Sequence, residues 1–222
     1  MIRLIGAGFI GGAALFGAAV ADEKIGVSAD VSAEGAQSFD FSNFSSIEAA
    51  GVFDIEIAVG GDYSIELSGP EKELSRVTVT EEDGVLILDQ SRKKDGRGNR
   101  EGVDVTISMP SLKGLVISGV AEVEAEGIDA ESFKVSLSGV GDVELEGTCG
   151  SLSAKLSGVG DLDAQDLSCR DVSVKVSGVG EATVTATESV DADVSGMGSI
   201  EVYGSPKEVS KSSGLFSSIE IK

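Results

Sequence analysis

The sequence has no histidine and no tryptophan, and only two tyrosines among its 222 residues. Without histidine, a serine nucleophile has no imidazole base and a metal ion has no imidazole ligand. The scarcity of aromatic residues also disfavours a cleft in which paired carboxylates cleave polysaccharides. We therefore expect a non-catalytic protein and keep a carbohydrate-active enzyme of β-helical type as the alternative.

Basic residues are also scarce, because 17 lysines and arginines face 38 aspartates and glutamates, for a formal net charge of -21. A protein of this charge repels a polyanion instead of attracting it. We therefore expect no nucleic-acid partner. The acidity is typical of a soluble protein that is exposed to solvent.

Long apolar runs are missing except at the start of the chain. Arg3, the apolar stretch from Leu4 to Val20 and the small residues Ala19 to Ala21 together resemble a signal peptide over residues 1–21. An uncleaved membrane anchor is the alternative. Residues 22–38 are polar and predict a linker. We expect export to the periplasm or the cell surface of a bacterium, with no transmembrane segment after signal removal.

Six Ser-Gly corners recur in the second half of the chain and are its most informative pattern. Their serines lie 20, 19, 20, 18 and 18 residues apart, at Ser118, Ser138, Ser157, Ser177, Ser195 and Ser213. A repeat of about 20 residues is typical of stacked coils. After the linker, the chain is therefore expected to form irregular coils over residues 39–110 and regular repeats over residues 111–222.

Apolar and polar residues alternate on both sides of each corner. In one repeat, Phe133, Val135 and Leu137 are expected to point inward, and the residues between them outward. Two such half-buried strands cannot bury their apolar side alone, so the coils must stack on one another. The sequence predicts an all-β fold, a β-solenoid with coils of about 20 residues, with an antiparallel sandwich as the alternative.

The corner residues carry their own expectations. A left-handed or otherwise strained backbone, and close contact with the next coil, are predicted for the first glycine of the corner at Gly139, Gly158, Gly178 and Gly196. The residue that follows is predicted to fill the corner from inside, at Val140, Val159, Val179 and Met197.

From about Phe39 to Lys222, the chain resembles the bacterial family called putative auto-transporter adhesin, head GIN domain. The segments that carry the resemblance are FSSIEAAGVFDIEIAVGGDYSIEL, VDVTISMPSLKGLVISGVAEVEAEG, the repeated SGVGD corners and VYGSPKEVSKSSG. The resemblance implies a right-handed parallel β-helix. It also implies an adhesion-like role, although the family is known as a domain of uncharacterised function.

Stacking the repeats places acidic residues in columns on one face. The two columns follow the corner serine by four and six residues and contain Glu122, Asp142 and Asp161, then Glu124, Glu144 and Asp163. Adjacent coils lie about 4.8 Å apart, so like charges in a column repel. Ca²⁺ would relieve that repulsion through oxygen ligands, and these six residues are the candidate metal ligands. The alternative is an acidic face that is simply solvated.

A basic segment interrupts the strands between Ser91 and Glu101. Its candidate ligand-binding residues are Arg92, Lys93, Lys94, Arg97 and Arg100. They would suit an anionic glycan or a lipid headgroup. The alternative is a solvated hairpin loop whose charge keeps a sheet edge from pairing.

The only two cysteines, Cys149 and Cys169, each lie three residues before the first apolar position of a repeat. They therefore occupy the same site on successive coils, where the spacing of about 4.8 Å suits a disulfide. Export would supply an oxidising compartment. The sequence thus predicts a Cys149–Cys169 disulfide, and two free thiols are the alternative.

These observations favour an exported β-solenoid with a binding or structural role at the bacterial envelope. The expected partner is an envelope glycan or a protein, and no cofactor is expected other than Ca²⁺. A further expectation is homo-oligomer formation through the exposed ends of the coil stack.

Overall fold

A computed structural model describes residues 35–91 and 102–222, which form fifteen strands and one short helix. In chain order the elements are β1 (Ala36–Phe39), β2 (Ser46–Ala50), β3 (Val52–Val59), β4 (Ser64–Ser68), α1 (Glu71–Leu74), β5 (Val77–Glu82), β6 (Val85–Gln90), β7 (Val103–Met109), β8 (Gly114–Ile117), β9 (Val120–Leu137), β10 (Val143–Leu156), β11 (Leu162–Val176), β12 (Val179–Val194), β13 (Met197–Gly204), β14 (Glu208–Ser213) and β15 (Ser217–Ile221). The strands form one continuous sheet wound into coils of roughly 20 residues, which confirms the predicted β-solenoid.

Each coil contributes one strand segment to each of two faces. The front face contains the segments that follow a corner, in β3, β13, β15 and the first parts of β9 to β12. The back face contains those that precede a corner, in β2, β8, β14 and the second parts of β9 to β12. Inside the long strands, glycines such as Gly127, with φ of 77°, allow the chain to bend from front to back.

The repeats stack in register and bury their apolar rows as predicted. On the back face, Leu152 pairs with Val172, which pairs with Val190, and all three side chains are buried. Parallel pairing of successive coils rules out the antiparallel sandwich for the repeats. Phe133 also lies in the core, so the period-two pattern assigned the inward side correctly.

Two glycines shape the corners that begin at Ser138, Ser157, Ser177 and Ser195, and the prediction assigned their roles only in part. A Cβ atom on Gly158 would overlap the carbonyl oxygen of Gly139 on the adjacent coil, which confirms the close approach. The left-handed backbone, however, belongs to the second glycine in three of these corners, as in Gly160 with φ of 142°. Assigning it to the first glycine was wrong, because that glycine is required for stacking distance and not for its φ angle.

The residue between the two glycines points outward, which contradicts the prediction that it fills the corner from inside. Val140, Val159, Val179 and Met197 are between 43% and 59% exposed. Their backbones bridge to one another across successive coils, so the side chains form a column on the outer edge. The corner serine stays structural: for example, Ser138 Oγ donates to the Ile117 carbonyl oxygen of the neighbouring coil at 3.3 Å.

The N-terminal coils do not stack in chain order. The coil built from β2 and β3 lies between the coil of β6 and β7 and the coil of β8 and β9. Beyond β7 on the front face come the antiparallel strands β4 and β1, and beyond β6 on the back face comes antiparallel β5. Strand β1 begins at Ala36, so its first three residues lie within the segment predicted to be a linker.

A buried polar network joins α1 to these coils. The Glu73 carboxylate accepts hydrogen bonds from Arg76 Nη1 at 3.0 Å and from Gln90 Nε2 at 3.4 Å. The Val52 backbone N–H donates to Gln90 Oε1 at 3.0 Å. Glu73 and Gln90 are almost fully buried, so this network satisfies polar groups that burial would otherwise penalise.

The last coil is shifted by one residue relative to the predicted corner. Ser213 pairs with Val194, and the Gly214 backbone N–H donates to the Val194 carbonyl oxygen at 2.9 Å. Gly214 therefore takes the place that corner serines occupy in earlier coils, and placing Ser213 there was wrong. The residues that follow, Leu215 and Phe216, are 96% and 80% exposed.

Candidate functional site

The predicted acid columns exist and form an acidic face on the front of the solenoid. Glu56 pairs with Glu124, Glu124 with Glu144, and Glu144 with Asp163. A shallow cavity of about 160 Å³ lies among these carboxylates and those of the neighbouring column, which contains Asp54, Glu122, Asp142 and Asp161. Sequence reasoning missed Asp54 and Glu56, although the segment FDIEI shows the same alternation as the repeats.

Glu124 lies at the centre of this face. Loss of solvation, followed by repulsion from Glu126, Glu144 and Glu56, raises the pKa of the Glu124 carboxyl above its ordinary value. The charged form of Glu124 is therefore less favoured than that of a carboxyl free in solvent. The acidic face stores repulsion at neutral pH, which protonation or added salt would relieve.

The other column has a structural use for its carboxylates. Asp142 Oδ1 accepts the backbone N–H of Asp161 at 3.0 Å, and Asp161 Oδ1 accepts the backbone N–H of Glu181 at 2.7 Å. Each aspartate thus satisfies a backbone donor at the corner of the next coil. This contact gives a structural reason for aspartate at these two positions, Asp142 and Asp161.

The six candidate metal ligands share one face, yet they do not converge. Within residues 35–91 and 102–222, no group of three or more acidic or cysteine side chains is arranged to hold a metal ion. Parallel coils keep the carboxylates in a ladder, whereas calcium needs several oxygens around one centre. Calcium binding here therefore stays a prediction.

The back face carries a second feature, a shallow groove of about 620 Å³ that crosses four coils. We call it the serine-aspartate groove, after the two polar rows that line it: Ser151, Asp171, Ser189 and Glu208, and Ser153, Ser173, Asp191 and Ser210. Between the two rows run the backbones of Leu152, Val172 and Val190, whose side chains point into the core. Repeated hydroxyl and carboxylate groups on a concave surface can supply the polar contacts that orient a ligand.

Hydrogen bonds fix part of this groove. Ser189 Oγ donates to Asp171 Oδ1 at 2.6 Å, which links two adjacent coils across the groove wall. At one end, Lys207 Nζ contacts Glu188 Oε2 at 2.7 Å. The twelve residues that line the groove, all within the described part of the chain, include no aromatic side chain.

The predicted disulfide is confirmed beside this groove. Cys149 pairs in register with Cys169, their Cα atoms lie 4.5 Å apart, and the two sulfur atoms are bonded. Ser151 and Asp171, which line the groove, follow the two cysteines by two residues. The bond therefore ties together the two coils that form one wall of the groove.

Two predicted features lie outside the residues that the structure describes. One is the signal peptide over residues 1–21, and the other comprises the basic residues Arg92, Lys93, Lys94, Arg97 and Arg100. Within the described part of the chain, no helix has both the length and the apolar character needed to span a bilayer.

The fold and these surfaces define an exposed parallel β-solenoid of the kind found among adhesin-like domains. A family match over residues 43–206 is consistent with this class, and the chain belongs to the family described as "Putative auto-transporter adhesin, head GIN domain". No curated protein matches the chain.

Three solved structures are similar to this chain, and the first of them shows the same fold. A putative adhesin from Bacteroides fragilis NCTC 9343 is 28% identical with a TM-score of 0.69, and the match covers 84% of this chain and 96% of that one. A putative lipid binding protein from Parabacteroides distasonis ATCC 8503 is 19% identical with a TM-score of 0.46, at the same coverage. A putative adhesin from Parabacteroides merdae ATCC 43184 is 16% identical with a TM-score of 0.41, covering 84% and 95%.

Proposed function

We propose that this protein is an exported, non-catalytic binding protein of the bacterial envelope that holds a glycan chain in the serine-aspartate groove. The observation that carries the proposal is the repetition of hydroxyl and carboxylate groups along a shallow groove that crosses four successive coils. Membership of an adhesin-like family supports a binding role, and so does the 28% identical putative adhesin.

The chemistry of the groove narrows the ligand. Serine hydroxyls donate and accept hydrogen bonds, and carboxylates accept them, so the two rows complement a ligand rich in hydroxyl groups. Asp171, Asp191 and Glu208 would repel an acidic polymer. We therefore propose a neutral glycan, or one that carries amino sugars.

The alternative of a carbohydrate-active enzyme has less support. Carboxylates are present in the groove, yet the lining lacks aromatic side chains that would hold a sugar ring beside them. Chain cleavage is therefore an outcome to be tested together with binding.

Binding to an array of neutral, amino-sugar and acidic envelope glycans would test the proposal, with a variant that fills the groove. Ser173→Arg places a long side chain in the middle of the groove and should weaken binding at least tenfold. Thr183→Arg places the same side chain on the front face, outside the groove, and should leave binding unchanged. Equal binding by both variants, binding of acidic glycans alone, or release of shortened glycan would refute the proposal.

We also propose that the protein is exported and that its basic residues bind an anionic partner. The family supports an extracellular or surface location, and fractionation of cells that express the tagged full chain would test it. The basic residues from Arg92 to Arg100 are proposed to contact an anionic glycan or a lipid headgroup. A variant with these five bases changed to serine should lose binding to anionic vesicles if they do.

Self-association through the coil ends depends on the last coil. Lys211 and Ser213 occupy positions that point inward in the preceding coil, where Ala192 and Val194 are buried. A further coil stacked on β14 would bury the Lys211 ammonium, which is unfavourable without a partner. Lysine in such a position is a recognised protection of an open sheet edge. We therefore propose that any homo-oligomer through this end is weak.

A further inference from the structure

The outer edge of the solenoid carries a column of exposed apolar side chains, which we call the corner ridge. It consists of the residue that follows the first corner glycine in five successive coils: Val120, Val140, Val159, Val179 and Met197. The five side chains are 43% to 59% exposed. At the spacing of about 4.8 Å between coils, the ridge is about 20 Å long. In the last coil, Phe216 directly precedes Ser217, which pairs with Gly198, so Phe216 lies level with Met197 and is 80% exposed.

The backbone does not require an apolar residue at this position. The side chain points outward because the period-two alternation of the strands continues through the corner, and the bridge between coils uses only backbone atoms. Threonine has the shape and the β-branch of valine and would suit an exposed strand equally well. An apolar residue nevertheless stands here in all five coils. Contiguous exposed apolar surface of this kind marks an interaction site on a soluble protein.

Charge beside the ridge indicates what kind of partner fits. The acid column that contains Glu122, Asp142 and Asp161 lies two residues further along each coil, on the adjoining front face. Near the N-terminal end of the ridge, a shallow groove of about 400 Å³ brings Val52 and Val120 together with Asp54, Asp104 and Glu122. Apolar side chains therefore alternate with carboxylates across the width of this surface.

We propose that the corner ridge is a docking surface for a basic amphipathic segment of another protein. Apolar side chains of that segment would cover the valines, and its lysines or arginines would meet the adjacent acid column. The partner's positive charge would also relieve the repulsion between neighbouring carboxylates, so charge and apolar burial act in the same direction. The corner ridge is separate from the serine-aspartate groove, which lies on the back face.

A synthetic peptide can test this surface on the full-length protein. The probe is a 14-residue helix, about 21 Å long, with leucine on one face and lysine on the other. Its two controls replace every leucine by serine or every lysine by glutamate. We expect the leucine-lysine peptide to bind with 1:1 stoichiometry by calorimetry, the serine peptide at least tenfold more weakly, and the glutamate peptide not at all.

The triple variant Val140→Thr, Val159→Thr and Val179→Thr then asks where the peptide sits. It should weaken binding of the leucine-lysine peptide at least tenfold and change the melting temperature little. Val116→Thr is the matched control, because Val116 is 40% exposed on the back face, away from the ridge. Methyl NMR of the unaltered protein gives a second measurement, in which the three valine signals should shift on peptide addition.

Several results would overturn the proposal. Unchanged peptide affinity in the triple variant, or valine methyl signals that do not move, would place the peptide elsewhere. Equal affinity of the serine and leucine peptides would reduce the interaction to charge alone. Binding of the unaltered protein to zwitterionic phosphatidylcholine vesicles, lost in the triple variant, would assign the ridge to a lipid surface instead of a protein.

Discussion

The roles of the first and second glycine of a corner can be distinguished experimentally, because the structure requires glycine at the two positions for different physical reasons. Gly158 has no left-handed backbone, yet a Cβ there would overlap the carbonyl oxygen of Gly139. Gly60 is the opposite case, with φ of 105° and no atom within 4 Å of an added Cβ. Gly160 combines both, since its φ is 142° and its Cβ would overlap the Gly141 carbonyl oxygen.

These differences set the expected order of destabilisation on replacement by alanine. Gly60→Ala meets backbone strain alone and should cost about 1 kcal/mol. Gly158→Ala should cost about 3 kcal/mol, at the upper end of the range for overpacking, because the overlapped atom belongs to backbone that cannot rotate away. Gly160→Ala should cost more than either. For a domain of this size, these values correspond to melting shifts of roughly 2–4 °C and 6–12 °C for the first two variants.

Urea unfolding followed by circular dichroism measures the three free energies under one condition. If the slope of the unfolding free energy against urea concentration is the same in all variants, the substitutions change stability and not the surface exposed on unfolding. If Gly158→Ala costs no more than Gly60→Ala, the close approach of coils at the first glycine is not what selects that residue. The first glycine would then not be the residue that sets the stacking distance.

Three further predictions concern the disulfide, the acidic face and the last coil. Replacing Cys149 and Cys169 by serine should lower the free energy of unfolding by about 3 kcal/mol, the chain-entropy estimate for a loop of 20 residues, and reductant should destabilise only the unaltered protein. Glu124→Gln should raise stability at neutral pH, because it removes a carboxyl whose folded-state pKa is raised. The benefit should disappear as pH falls through that pKa. The stability of the unaltered protein should respond equally to Ca²⁺ and to NaCl of matched ionic strength. A larger Ca²⁺ effect would reveal a specific site. Lys211→Val should promote association through the last coil in sedimentation experiments, while Lys207→Val, whose amine pairs outward with Glu188, should not.

The repeats were predictable because their information is local and periodic. The period of about 20 residues, with the alternation of apolar residues, places Cys149 opposite Cys169 and the carboxylates of Glu124 and Glu144 in one column. Each of these inferences needs only two adjacent coils in parallel register. Nothing distant in the chain has to be known.

The N-terminal coils could not be predicted in the same way. The order in which the coil of β2 and β3 lies between two later coils depends on contacts between residues far apart in sequence. No repeat marks that order. The buried Glu73 network was missed for a related reason, since a glutamate that directly follows a glutamate and a lysine resembles exposed surface until Gln90 is brought beside it.

The corner valines were placed on the wrong side for a different reason. Their apolar character suggested burial, whereas the period-two alternation continues across the corner and indicates the opposite. Leu137 and Val143 are both buried, so the same alternation places Val140 on the outward side with Asp142. The alternation was the better guide to which way the valine faces.

Close stacking at the corners links the fold to the proposed docking surface. The first glycine allows the coils to approach, and the side chain that follows it points to solvent. The distance between adjacent coils is therefore also the spacing between ridge side chains. The aspartates that accept N–H groups of the next corner repeat at the same distance. A partner that recognises one corner can therefore recognise the next with the same chemistry. Affinity should accordingly grow with the number of coils contacted, as expected when successive contacts are linked within one segment.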